Sequence, residues 1–160
     1  MTEISNDFEK DIQFDLISPA ANVNTHTQAL ELLSEHAAEY LSISQKRIFK
    51  RIGEKEAISN PAIGEGIAIP HAKMHRVQMP FTMLMTTQNK VTWETPDDKP
   101  LDIYCLLISP ISEGPVHLRR LSRISRLLKN KSLLHRVRDT QDTDVIRSLL
   151  MDPNGWLMAA

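Results

Sequence analysis

Apolar and polar positions along this chain of 160 residues follow two different periods. Ala29, Leu30, Leu33, Ala37 and Leu41 recur at helical spacing, and Thr27 stands where an N-cap belongs. A second helix is predicted after Ser44, striped by Ile48, Phe49 and Ile52, with Gly53 near its end. Ser59-Asn60-Pro61 is a turn signal that stops it. The period then shortens. Ile67 to Ile69 reads as a short buried strand, Pro80 to Thr87 as another, Val91 to Trp93 as a third, and Leu101 to Ile108 as the strongest. The helical period returns with Leu118, Leu121, Ile124, Leu127 and Leu128, in a segment from Pro115 to Lys129. Pro115 suits the first turn of that helix, where a missing N–H costs nothing. A short helix over Lys131 to Val137 follows. A last one, capped by Asp142 or Thr143, runs through Leu150 and ends near Asp152-Pro153-Asn154.

Helices, then strands, then helices, without repeats or low-complexity linkers, imply a single α+β domain. Its core is a mixed sheet of four to five strands flanked by helices. The domain is expected over 17–156, behind a polar, loosely held leader at 1–16, with a short extended piece around Val23.

Composition narrows the class without naming a function. Hydrophobic residues make up 41% and charged residues 24% of the chain, as in an ordinary globular domain. Aromatics are only 5%, so the core must rest on aliphatic side chains and methionine. The net charge of -1 gives no reason to expect a membrane or nucleic acid as partner. One cysteine, Cys105, lies in an apolar run and reads as a packed thiol in a reducing compartment. The acidic N-terminus has no signal-peptide character, and no apolar run approaches bilayer length, so a cytoplasmic location is expected.

The candidate chemistry sits at Gly64-Glu65-Gly66-Ile67-Ala68-Ile69-Pro70-His71-Ala72-Lys73. Gly64 and Gly66 permit backbone conformations and close approaches that side chains forbid. The strand anchors the segment, and Pro70 ends its pairing, so His71 is expected at an exposed rim. Neutral imidazole is a nucleophile near pH 7, yet a phosphorylated ring releases its phosphoryl group readily. His71 and His75 share a His-x-x-x-His spacing, but no third ligand accompanies them and a strand precedes them, so no metal is expected. Arg119, Arg120 and Arg123 open an acid-free stretch that continues to Arg138. It reads as a solvated helix face or as a docking surface for a partner protein.

The run from Ile63 to Lys73 resembles the signature of the enzyme IIA proteins of the bacterial phosphotransferase system, in the mannitol, fructose and nitrogen-regulatory branch. The likeness is greatest to the nitrogen-regulatory type. It extends over about 130 residues, from Ala29 through the helix at Phe49 into the C-terminal helices. The resemblance implies a phosphocarrier with a phosphohistidine intermediate, regulatory rather than a conventional enzyme, and needing no cofactor. His71 would take a phosphoryl group from a phosphorylated histidine-containing carrier protein (HPr/NPr-like). His117, at a helix start, would steady that group or the ring. Lys55 replaces an arginine usual in the family, and Lys73 is retained as a further phosphate partner. Gly64 and Gly66 would complete the anion pocket. Ser59-Asn60-Pro61-Ala62 stands where small, glycine-rich residues are usual. Regulatory target proteins are the implied partners. The alternative is a IIA-like interaction module that is never phosphorylated and binds through its basic helix.

Overall fold

Residues 12–154 are described by the structure, a computed structural model. The chain order is β1 (Leu16–Ala21), α1 (His26–Leu41), α2 (Gln45–Ile58), β2 (Ala62–Gly64), β3 (Ile67–Ala68) and β4 (His71–Met74). Next come β5 (Phe81–Val91), β6 (Leu101–Pro110), α3 (Pro115–Leu128), α4 (Lys131–Arg138) and α5 (Thr143–Leu150). The helices start where side chains can cap them. Thr25, two residues before the expected cap, accepts from the Gln28 N–H, and Asn130 and Asp142 do the same for α4 and α5. Helix α2 runs through Gly53 to Ile58 and stops before Asn60-Pro61.

The expected α+β architecture is present, with six strands in the sheet rather than four to five. Strand order is β1-β5-β6-β3-β2, and β4 lies in line with β3 along the same edge of β6. β1 pairs parallel with β5, β5 antiparallel with β6, and both β3 and β4 parallel with β6. The pieces expected at 80–87 and at 91–93 are one strand ending at Val91. Trp93 lies beyond it and stacks on His26 with ring centroids 4.0 Å apart. Pro70 interrupts the ladder rather than ending it. Its carbonyl accepts from the Leu107 N–H, and pairing resumes at His71.

Side chains alternate across the sheet and divide the core into two clusters. Met83, Met85, Tyr104, Leu106 and Ile108 face α1 and α2, packing on Leu30, Leu33, Ile48 and Ile52. Leu84, Ile103, Cys105 and Leu107 face α3, α4 and α5, packing on Ile124, Leu127, Leu134 and Ile146. Strand β6 is buried on both sides, and each of its apolar side chains contributes roughly 1.5–3 kcal/mol. Ile12 and Phe14, part of the expected loose leader, are fully buried in the second cluster, because their apolar side chains close its edge. Residues 1–11 and Trp156 lie outside the described residues. Of the methionines expected to pack, Met74, Met83 and Met85 are buried, whereas Met79 is exposed.

The glycine turn between β2 and β3 is held from outside. Arg138 grips Asp102 through two hydrogen bonds of 2.8 and 2.9 Å and also donates to the Glu65 carbonyl. Gly66 has φ +81°, and a Cβ there would stand 2.7 Å from both Arg138 Nη2 and Asp102 Oδ1. Gly66→Ala is expected to destabilise the fold by about 1–3 kcal/mol in urea unfolding. A loss below about 0.5 kcal/mol would show that the turn is not fixed by this clamp.

Candidate functional site

Parallel pairing with β6 fixes where each motif residue goes. His71 lies opposite Leu107, and Lys73 opposite Ser109. Residues 67, 69, 71 and 73 share one face of the sheet, the face covered by α3. Strand β6 ends at Pro110, and the chain turns through Gly114 into α3, whose Pro115 occupies the first turn. That brings His117 back over the sheet. Its Nε2 lies 3.2 Å from His71 Nδ1.

His117 is only 3% exposed, so it is no surface helix residue. Its Nδ1 lies 2.7 Å from Ser109 Oγ, and Arg120 Nη1 donates to the same hydroxyl at 3.2 Å. Arg120 is in turn paired with Glu113. A chain of four side chains therefore runs from Arg120 through Ser109 and His117 to His71. Two proton arrangements satisfy it. Either Ser109 donates to His117 Nδ1 and His117 Nε2–H donates to His71, or His71 Nδ1–H donates to His117 and His117 Nδ1–H donates to Ser109. In both, His71 Nε2 lies at the open end of the chain, half-buried and without a hydrogen bond to any described residue.

Both rings are neutral at pH 7. Burial lowers the His71 pKa to about 4, and the Lys55 charge adds to the effect. Burial also brings His117 to about 4, followed by the influence of His71, Lys73, Arg120 and Lys55. Lys55 from the last turn of α2 and Lys73 from β4 thus bear electrostatically on the histidine pair. The last turn of α2 is itself held in place. Glu56, next to Lys55, accepts from His26 Nε2 at 3.0 Å, and His26 Nδ1 lies 3.0 Å from the Tyr104 hydroxyl.

Two expectations are corrected by the geometry. Gly64 and Gly66 are not in the anion pocket: Ile67 pairs with Ile103 four positions before the His71–Leu107 pair, so they sit about 13 Å or more down β6. Arg120 and Arg123 are not docking residues. They are 3% and 9% exposed, because they share the inward stripe of α3 with His117, Ile124 and Leu127. Of the three arginines only Arg119 faces outward. Asn60 and Pro61 stitch the approach to β2. The Asn60 amide donates to the Glu94 carbonyl, its oxygen accepts from the Ala62 N–H, and the Pro61 carbonyl accepts from the Ile69 N–H. Sequence reasoning missed Ser109 and Glu113. A hydroxyl closing the apolar run Leu106-Leu107-Ile108 was the available signal for Ser109, since a buried hydroxyl needs a partner.

The sequence profile of the phosphoenolpyruvate-dependent sugar phosphotransferase system, EIIA 2, matches residues 12–152. The chain belongs to this family. The EIIA 2 domain is 33% identical over 137 residues to the nitrogen regulatory protein of Bradyrhizobium diazoefficiens, covering 86% of this chain and 90% of that protein. The fold superposes on the crystal structure of nitrogen regulatory protein IIA-Ntr from Neisseria meningitidis with a TM-score of 0.80 and 21% identity, covering 91% and 99% of the two chains. Mannitol IIA of Escherichia coli, solved as a complex with phosphorylated enzyme IIB, superposes with a TM-score of 0.69 and 15% identity, over 84% and 92%. Components of this family take part in phosphotransfer, and no helix among the described residues of this EIIA 2 domain is long and apolar enough to cross a membrane.

The two low pKa values set a pH signature. Between about pH 4 and 6.5 the unfolded rings take up protons that the folded rings refuse, so this pair erodes stability as pH falls through that window. Long-range 1H–15N spectra are expected to show both rings neutral from pH 8 down to 5. A midpoint above pH 6 for either ring would contradict the burial argument.

Proposed function

We propose that this EIIA 2 domain is a regulatory phosphocarrier in which His71 accepts a phosphoryl group from a phosphorylated histidine-containing carrier protein. The observation that carries the proposal is the contact between His71 Nδ1 and His117 Nε2 at 3.2 Å. In the proton arrangement where His71 Nδ1–H donates, His71 Nε2 holds a lone pair that no described residue engages. That lone pair attacks phosphorus as the P–N bond of the carrier breaks and its electron pair returns to the carrier ring. The proton on His71 Nδ1 stays in place, and its hydrogen bond to His117 strengthens as the phosphorylated ring becomes cationic.

Charge supports the same reading. Lys55 and Lys73 bear on the pair, and the first turn of α3 turns its unpaired N–H groups and partial positive charge toward an arriving anion. Lysine neutralises this charge as a point rather than a fork. Three large apolar side chains on the framing elements are exposed: Ile58 after Lys55, Ile111 after β6, and Leu118 beside His117. A partner covering them would exclude water during transfer. The regulatory output follows from adding up to about two negative charges at one surface, which target proteins then distinguish.

Incubation with phosphoenolpyruvate, enzyme I and a cognate carrier is expected to give an acid-labile phosphate adduct. His71→Ala should abolish it, and His117→Ala should slow transfer by roughly 100-fold. An unlabelled wild type, or equal labelling of His71→Ala, would sink the proposal and favour a non-phosphorylated interaction module.

A further inference from the structure

A second concentration of positive charge lies beside the histidine pair, on the outer edge of β4. The carbonyls of Pro70, just before β4, and of Met74 accept from the N–H groups of Leu107 and of Ile111, just after β6, so the Lys73 carbonyl points the other way, toward α2. Arg51 Nε donates to it at 3.1 Å, and the same guanidinium reaches Glu54 at 3.3 Å. Arg51 therefore joins α2 to the sheet edge and uses up the acid nearest to it. A groove of about 580 Å3 opens along this seam.

Its charge is one-sided. Arg47 and Lys50 enter from α2, and Lys73 and Arg76 from β4 and the turn after it. None of these four makes an ion pair with a described residue, and Arg47, Lys50 and Arg76 are exposed. A molecule with a net charge of -1 thus gathers four unpaired cations around one concavity whose only acid, Glu54, is already engaged. Like charges held this close repel one another, and a multiply charged anion relieves the repulsion. Ile43, Met74 and Ile111 supply apolar lining alongside the cations.

We propose that this groove binds a small ligand carrying a chain of phosphates and an apolar or heterocyclic moiety, a nucleoside di- or triphosphate. Its volume lies within the range of small-molecule sites, whereas a single phosphate would fill a fraction of it and use one or two of the cations. Lys50 and Arg47 stand one helical turn or less apart on α2, and Arg76 lines the groove from the turn after β4, so a phosphate chain spans both walls while the apolar lining receives the remainder. His71 is not part of the lining, so the groove does not need its imidazole, while Lys73, which also bears on the histidine pair, is common to both sites.

The test is a titration of the 15N-labelled protein with a nucleoside triphosphate at 0.15 M salt, beside the parent nucleoside and inorganic tripolyphosphate. Saturable shifts are expected at residues 43–54 and 73–76 with the triphosphate, weaker binding of tripolyphosphate, and none of the nucleoside. Arg47→Gln with Lys50→Gln, both exposed helix positions, should weaken binding at least about tenfold, and His71→Ala should leave it unchanged. No saturable shift up to several millimolar, unaltered affinity in the double variant, or binding of a glutamate-rich peptide in place of the triphosphate would overturn the proposal. The His71→Ala arm keeps this result apart from the phosphocarrier assay.

Discussion

Strand β6 is the constraint on which the other parts depend. It is buried on both faces, and it pairs with β5 on one side and with β3 and β4 in turn on the other. The parallel register with β4 places His71 opposite Leu107, two positions before Ser109. The same strand runs on through Ser109 and Pro110 and, within a few residues, starts α3 at Pro115. One strand thus positions both histidines: the first by lateral pairing, the second by the short connection that folds α3 back over the sheet. A slip of one residue would turn His71 to the α2 face and dissolve the 3.2 Å contact.

The site balances two opposing electrostatic demands. A nucleophilic imidazole must be uncharged, and burial beside cations ensures this by holding both rings at about 4. The group to be accepted is strongly anionic and needs positive charge close by. Lys55, Lys73 and the start of α3 provide that without protonating the rings. Arg120 supplies its charge from within the protein, fixed by Glu113 and Ser109, so it orients the chain of hydrogen bonds rather than meeting a partner.

Much of this was legible in the chain before folding. The helical stripes at 29–41 and 115–128 and the apolar run at 101–108 located the elements that frame the site, because period and length are local properties. The Ile-Pro-His run located His71. The resemblance, not the spacing, pointed to His117. What the sequence hid were relations across the sheet. Gly64 and Gly66 are near His71 in sequence yet lie at the far end of β6, since an extended chain separates its residues by about 3.3 Å each. Arg120 and Arg123 looked like solvent residues by type. Their spacing of three and six residues from His117 put them on its buried side, and partners such as Ser109 and Glu113 make that burial tolerable for Arg120.

Phosphotransfer at this site turns on which nitrogen of His71 is free to react, and a direct measurement decides it. In 31P-coupled 15N spectra of the phosphorylated protein, the phosphoryl group is expected on His71 Nε2, with a proton retained on Nδ1 and shared with His117. A phosphoryl group on His71 Nδ1, or on any other residue, would contradict the hydrogen-bonded pair as the basis of the site.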